Sequence, residues 1–418
     1  MKIIVAHPFK QHSFNTAIGF AKHEDLFRYI TTVYLRRGNI TDLIYRHASK
    51  QNRARAESHS SNTLNPYTTQ FCEIEGLFYT ALLRLPKLKK LARIVKKHLV
   101  TRFGKKVAKY SIKNSVDAVL MYDCTAKDCF KRIRKSKSGI VCVLDMSACT
   151  VPSRIRDYEN DPLFEKYFGT QEVINNWGRP SEYSQLYLDE LIYADFFIVA
   201  SERVKEDLKF RGIDSNKIYI IPYGVKDGVN SKEKPIIGKP LKLLCASGLS
   251  FQKGVHHLLN AVKKLPADAV ELSIVGDFDS KSPLFYECEQ MNNTYLLGRV
   301  PSIQMNEIYS KNDVLIMPSL NDGYGLVVIE AMSHGLPVIV SNHAGSCSAV
   351  TNAYNGFVYD AYDENELKND ILYLINNSEV IPEMSKNAIN TCREYSLEKY
   401  YDRIDAILRK ALAAREES

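Results

Sequence analysis

Short apolar runs rich in valine and isoleucine alternate with longer stretches in which apolar residues recur every three or four positions, over nearly the whole chain. A run of four to six apolar residues reads as a strand buried on both faces, and its alternation with amphipathic helices reads as parallel sheet covered by helices. Two such series are visible. The first comprises residues 2–6, 27–34, 118–122, 140–145, 196–200 and 219–221; the second comprises 241–246, 270–275, 294–297, 314–317 and 337–341. Between them the segment from Asn230 to Pro240 carries two prolines, a glycine and several charges, which predicts an exposed connection that few contacts cross. The pattern therefore predicts two α/β domains, residues 1–230 and 231–395, followed by a closing helix at 396–418.

Length agrees, because 418 residues at about 150 per domain leave room for two or three domains. With 45% hydrophobic and 25% charged residues the chain can bury a sizeable core, which excludes disordered and fibrous classes. The nine cysteines are scattered, without a CxxC pair or a histidine spaced to complete a zinc site, so a reducing compartment is expected. Met1-Lys2 leads directly into Ile3-Ile4-Val5-Ala6, too short for the apolar core of a signal peptide. The run from Leu191 to Ala200 is broken by Asp195 and falls short of the ~20 residues that a spanning helix needs. The expectation is a cytoplasmic protein, with one region suited to the cytoplasmic face of a membrane.

That region holds much of the net charge of +8: from Gly76 to Val116 there is no acidic residue, while Arg84, Lys87, Lys89, Lys90, Arg93, Lys96, Lys97, Arg102, Lys105, Lys106 and Lys109 accumulate. Leu85, Leu88, Leu91, Ile94, Val95, Leu99, Phe103 and Val107 interleave at helical spacing. This stretch, an insertion in the first domain's pattern, reads either as a solvated helix whose apolar stripe packs on the core or as an interfacial helix meeting anionic lipid through residues 84–109. Nucleic acid is not expected as a partner, since no reading motif accompanies the charge.

The chemistry concentrates in Pro318-Ser-Leu-Asn-Asp-Gly-Tyr-Gly-Leu-Val-Val-Ile-Glu-Ala-Met-Ser-His-Gly-Leu-Pro-Val-Ile-Val-Ser341. A strand ends at Pro318, a loop with Gly323, Tyr324 and Gly325 follows, and a helix runs from about Leu326 to His334 before Gly335 stops it and a new strand begins. Two glycines let backbone approach a ligand closely, and the helix N-terminus offers unpaired amides and partial positive charge to a phosphate. Asp322 and Glu330 place carboxylates around that turn, suited to accept hydrogen bonds from hydroxyls rather than to bind phosphate. Upstream, Ser247-Gly-Leu-Ser-Phe-Gln-Lys-Gly254 joins another strand to a helix near Val255, again at a strand C-terminus where open α/β sheets bind ligands.

The first segment resembles the Glu-x7-Glu motif of retaining GT-B glycosyltransferases, specifically their large fourth family, and the second resembles that family's Gly-Arg-Leu-Ser-x-x-Lys-Gly loop. Further matches, at Asp195 to Ser201 and Ile221-Pro-Tyr-Gly-Val225, extend the resemblance over most of residues 180–360. It implies a GT-B fold: α/β, two Rossmann-like parallel-sheet domains facing across a cleft, the first binding the acceptor and the second a nucleotide-sugar. It also implies that Asp322 contacts the donor sugar, Glu330 the ribose and Lys253 the diphosphate, with no metal and no cofactor beyond the donor. Asp322 stands where the family has Glu, and Gly248 where it has Arg. One lysine undercompensates a leaving diphosphate, so Arg299 is a candidate second cation, with Ser250 and the backbone of Val300 as further donor contacts. Asp277-Phe-Asp279 spells a metal-binding Asp-x-Asp, but Ile274-Val-Gly-Asp277 resembles a common strand end of this metal-free fold.

On the acceptor side, His7 and His12 stand in the first strand-to-helix loop where the family often has Gly-Gly, and Asp145, Ser147 and Thr150 follow a later strand. The reading is a retaining transfer of a sugar to a hydroxyl of a glycan or lipid-linked acceptor, in cell-surface polysaccharide or glycoconjugate synthesis. Two other readings share the pattern. A sugar-nucleotide epimerase or hydrolase of the same fold should carry histidine and carboxylate acid/base groups in the cleft. A noncatalytic partner subunit would suit the missing Gly-Gly and the Gly248 replacement.

Overall fold

The structure, a computed structural model, describes residues 1–9, 11–47, 53, 57, 60–167, 188–226, 238 and 240–416. The first sheet contains β1 (Ile3–Ala6), β2 (Leu26–Thr31), β3 (Thr68–Gln70), β4 (Ala118–Tyr122), β5 (Val141–Met146), β6 (Phe196–Val199) and β7 (Ile218–Ile220), in the order 3-2-1-4-5-6-7. The second contains β8 (Leu241–Cys245), β9 (Val270–Val275), β10 (Thr294–Gly298), β11 (Val314–Met317), β12 (Val338–Ser341) and β13 (Gly356–Tyr359), in the order 10-9-8-11-12-13. All pairings between these strands are parallel. Apart from Gly238 and Pro240, the expected connection at 230–240 lies outside the described residues.

β1, β4 and β5 are buried along their full length, as strands covered by helices on both faces must be. Two strands are not visible in the apolar pattern. β3 reads Thr-Thr-Gln and β13 opens on glycine; both are short and lie at sheet edges, where one side of the ladder is unpaired and apolar demand is low.

In each sheet the chain first winds outward from the opening strand, then returns and winds the other way from its opposite side. The order therefore reverses between β1 and β4 and between β8 and β11, and in open α/β sheets ligands bind beyond the strand C-termini at such reversals. The loops after β8 and β11 hold Lys253 and Asp322 on adjacent strands, and the loop after β1 holds His12.

The basic stretch forms the helices Glu73–Leu82 and Lys89–Lys113, joined by a short turn at Pro86–Leu88. It is the crossover that carries the chain from edge strand β3 to central strand β4. Its apolar residues do not form one stripe. Leu99, Phe103 and Val107 are buried with Ala92, whereas Leu85, Leu88, Leu91 and Ile94 face solvent.

Contacts join the two halves. The helix Leu397–Glu416 packs on Ser13–Lys22, close enough that a Cβ on Gly19 would lie 2.8 Å from Tyr401 Cδ1. Thr16 and Tyr400 share a hydrogen bond of 2.8 Å. Tyr158, Phe164 and Tyr167 pack into the core of the second sheet. Beside them Asp161 Oδ2 lies 2.9 and 2.8 Å from the Nε2 atoms of His256 and His257, all buried. Burial alone would push the Asp161 carboxyl up, but hydrogen bonds from the two imidazoles hold it below the usual carboxylate range.

Candidate functional site

A cleft of about 290 Å³ opens at the strand ends. From the second domain it is lined by Ala246, Ser247, Lys253, Ile316, Met317, Asp322, Tyr324, Gly325, Leu326 and Val327, and from the first by His12, Ser147 and Tyr223. At its centre Lys253 Nζ and Asp322 Oδ2 pair at 2.5 Å, both side chains partly exposed to the cleft. Lys253 ends a single 3₁₀ turn, Phe251–Lys253, and Gly254 then takes φ +61° to start the helix Val255–Lys263. Asp322 is fixed by its backbone: its amide donates to His343 O at 3.1 Å, its carbonyl accepts from Gly345 N at 3.0 Å, and its Oδ1 accepts from Tyr324 N at 3.2 Å.

The helix beyond this loop runs Leu326–Ser333, as the sequence predicts, with Gly325 at φ +84° before it. Its first-turn residues Leu326 and Val327 line the cleft, and amides in a first turn have no acceptor within their own helix. Gly323 meets the other domain: a Cβ there would lie 2.1 Å from Ser147 O, and its carbonyl accepts from Ser201 Oγ at 2.6 Å. The glycines in this loop thus serve close approach of the two domains as well as a ligand-ready turn.

Glu330 does not line the cleft. It sits one turn deeper on the helix face that starts at Leu326, open to solvent, and accepts from Tyr309 Oη at 3.2 Å. Although the residue as a whole is exposed, partial desolvation of its carboxyl against the neighbouring helix raises it above the ordinary value, and the Tyr309 hydrogen bond opposes this.

Arg299 is 77% exposed and paired with Asp277 at 3.0 Å, outside the cleft, and Val300 lines a separate groove with Lys242, Gln304 and Lys311. Among the described lining residues Lys253 therefore supplies the cationic side chain. Ser250 precedes the 3₁₀ turn, its carbonyl accepting from Lys253 N at 3.1 Å, and Ser247 rather than Ser250 reaches the cleft. Gly248 has its own packing reason: a Cβ there would lie 2.6 Å from Asp277 O, so this backbone leaves little room for the arginine that the resemblance expects.

Of the acceptor-side residues, His12 and Ser147 face the cleft. His12 stacks on Tyr223 at 3.8 Å between ring centroids, and burial pushes its imidazole down to about 4. Near neutral pH it is uncharged, able to exchange hydrogen bonds but not to serve as the missing cation. His7 is also pushed down to about 4 by burial; it packs among Phe9 and Tyr122 and does not line the cleft. Thr150 is buried, its amide and hydroxyl held by Asp207, which makes it a support for the helix Val151–Glu159.

Asp145 lies beneath the floor, fully buried, and accepts from Tyr223 Oη at 3.0 Å. Burial pushes its carboxyl up to about 8; the Tyr223 hydrogen bond opposes this and Asp123 adds to it. A carboxyl whose folded value exceeds its unfolded one must take up a proton on folding between those values, so the stability it costs grows as pH rises from about 4 to 8. Asp145→Asn keeps an acceptor for Tyr223 and removes that cost. The variant should match the wild type near pH 4 and gain on it by up to about 1.4 kcal/mol per pH unit from there to pH 8, read from urea unfolding. A wild type more stable than the variant at pH 8 would mean that Asp145 is a stabilised carboxylate.

Tyr223, like Ser247, lines the cleft without being singled out by sequence reasoning as a site residue. It stacks on His12, makes an edge contact with Tyr324 at 5.6 Å and holds Asp145. The signal was present in Ile221-Pro-Tyr-Gly-Val225, where tyrosine replaces the asparagine of the resembled pattern.

Residues 228–391 match the family model described as glycosyl transferases group 1. Over 200 residues, 43% of this chain and 50% of the relative, the sequence is 32% identical to the UDP-Gal:alpha-D-GlcNAc-diphosphoundecaprenol alpha-1,3-galactosyltransferase of Escherichia coli. It is 26% identical over 247 residues, 53% of this chain and 64% of the relative, to the N,N'-diacetylbacillosaminyl-diphospho-undecaprenol alpha-1,3-N-acetylgalactosaminyltransferase of Campylobacter jejuni. The chain spans less than two thirds of the length of these curated relatives. Among solved structures, Anabaena HepE in complex with UDP superposes with a TM-score of 0.65 at 16% identity, covering 98% of this chain and all of that one. Sucrose-phosphate synthase from Thermosynechococcus elongatus gives 0.66 at 16% identity, covering 99% and 100%. The chain thus has the two-domain fold of GT-B glycosyltransferases, and its second domain carries the sequence pattern of glycosyl transferases group 1.

Proposed function

We propose that the protein is a retaining, metal-independent glycosyltransferase that moves a sugar from a nucleotide-sugar to a hydroxyl of a glycan or lipid-linked acceptor. The observation that carries the reading is the Lys253–Asp322 pair at the mouth of a glycine-flanked helix N-terminus, in a cleft whose opposite wall is supplied by the other domain. The diphosphate takes Lys253 and the first-turn amides around Leu326, which stabilise the charge that grows as the bond from sugar C1 to phosphate breaks. Asp322, released from Lys253, accepts from a sugar hydroxyl, and the nucleoside extends beyond the cleft along the helix from Leu326, so that Glu330 accepts from the ribose. The acceptor oxygen forms its bond to C1 on the face the phosphate leaves, and its proton passes to a phosphate oxygen. Both relatives described above are named for alpha linkages, and an alpha-configured donor giving an alpha product is retention. Their diphosphoundecaprenol acceptors support a lipid-linked acceptor here.

The test is a thermal-shift comparison of the protein with UDP-, GDP-, ADP- and CMP-sugars in the presence of a chelator. A donor at 100 times its dissociation constant should add about 2.7 kcal/mol of stability, and Glu330→Ala should remove most of the gain. No shift with any donor would overturn the reading, and a shift that appears only with divalent cation would overturn its metal-free part.

A further inference from the structure

The two helices of the crossover leave an unusual surface. Ile74 is 65%, Leu83 60% and Ile94 67% exposed, and Phe78, Leu85, Leu88 and Leu91 join them in one stretch of chain. Leu85 and Leu88 belong to the connection that precedes the long helix, and Leu91 and Ile94 to its opening turns, away from the buried line of Ala92, Leu99 and Phe103. The helix Ile40–Arg46, which packs on Glu73–Leu82, adds exposed Ile40, Leu43 and Ile44. Single exposed apolar residues are ordinary, but a run of this kind on neighbouring helices marks a surface that something covers.

Charge identifies the cover. Seven lysines and arginines fall between residues 84 and 97, with no acidic residue from 76 to 116. Arg84, Lys87, Lys90, Arg93 and Lys97 are exposed among the apolar side chains. Apolar side chains that enter an acyl boundary while cations stay at headgroup level are what an anionic bilayer accommodates, and each cation strengthens the attraction. The acidic residues on these helices are engaged, Asp42 with Arg46, Glu73 with Thr41 and Glu75 with Arg102, so the face is strongly net positive and poorly suited to pair with a second copy of itself.

This face adjoins the cleft. Tyr79 packs on Phe9 at 5.1 Å between centroids, and Lys96 Nζ lies 6.0 Å from the same ring. Gly76 sits against Thr32, whose hydroxyl donates to Pro8 O. Pro8 and Phe9 belong to the loop that leads to His12 on the cleft wall. We propose that residues 74–94, with Ile40, Leu43 and Ile44 beside them, form a docking face that seats in the headgroup region of an anionic phospholipid bilayer. Docking holds the acceptor wall of the cleft at the membrane surface; only that purpose rests on the lipid-linked acceptor proposed above.

The experiment is flotation of the whole chain with phosphatidylcholine vesicles, with and without about one third phosphatidylglycerol. The protein should float with the anionic vesicles, stay behind with the neutral ones, and detach as salt is raised. Lys90→Glu with Arg93→Glu should weaken binding at least about thirtyfold, and Phe78→Ser with Ile94→Ser about tenfold or more, while Ile192→Ser, an exposed apolar residue elsewhere, should bind as wild type. The altered side chains are exposed, so melting temperatures and donor-induced shifts should be unchanged, which keeps a failure here distinct from a failure of the donor reading. Equal flotation with both vesicle types, or variants that bind as wild type, would overturn the proposal. So would sedimentation showing a dimer that Ile94→Ser dissociates.

Discussion

Lys253→Ala should lower turnover about a hundred- to a thousandfold while the protein stays folded. The expectation follows from the cleft's charge inventory. Among the described lining residues Lys253 supplies the cationic side chain, because burial keeps His12 neutral and Arg299 lies outside, paired with Asp277. A preorganised donor aimed at developing charge is typically worth about 2.7–4 kcal/mol in the transition state, which is the range stated. Lys253→Arg should recover part of the loss, since it restores charge with a bulkier, planar head. The measurement is initial-rate kinetics at saturating donor. An alanine variant within about threefold of wild type would show that another cation carries the leaving group.

Gly254→Ala should cost about 3 kcal/mol or more of stability, although it adds one methyl group. Gly254 has φ +61°, a region that L side chains enter at a cost, and a Cβ there would lie 1.8 Å from Pro318 O. The contact is with backbone, which cannot rotate away, so the loops after β8 and β11 must separate. These loops carry Lys253 and Asp322, so the variant should lose donor affinity along with stability. Urea unfolding and donor titration check the two effects. Stability within about 1 kcal/mol of wild type would mean that the loops are looser than this packing requires.

The sequence makes the site's second half legible because its chemistry lies in two contiguous segments. Asp322, Gly323, Gly325 and Leu326 fall on one strand-loop-helix unit, and Lys253 on another, so their meeting needs only that β8 and β11 be neighbours. The first half is less legible because its contributions come one residue at a time, from far apart. His12, Ser147 and Tyr223 share a wall, yet nothing local in sequence joins them, and the His12–Tyr223 stack depends on two separate loops. Thr150 and His7 carry suitable chemistry but are spent on packing. Helical spacing places Leu85 and Leu88 in phase with Leu99 and Phe103, but the long helix begins only at Lys89, so the first two fall in the connection before it. The structure assigns Leu99, Phe103 and Val107 inward and Leu85, Leu88, Leu91 and Ile94 outward. Short polar or glycine-led edge strands such as β3 and β13 leave no apolar run to read.

The most direct measurement of the central claim is release of nucleoside diphosphate from the donor that stabilises the protein, with and without a lipid-linked saccharide acceptor and with chelator present. The account predicts release that depends on acceptor, survives chelation, yields a product with the donor's anomeric configuration and is lost in Lys253→Ala. Release at the same rate without acceptor, or an inverted product, would contradict it.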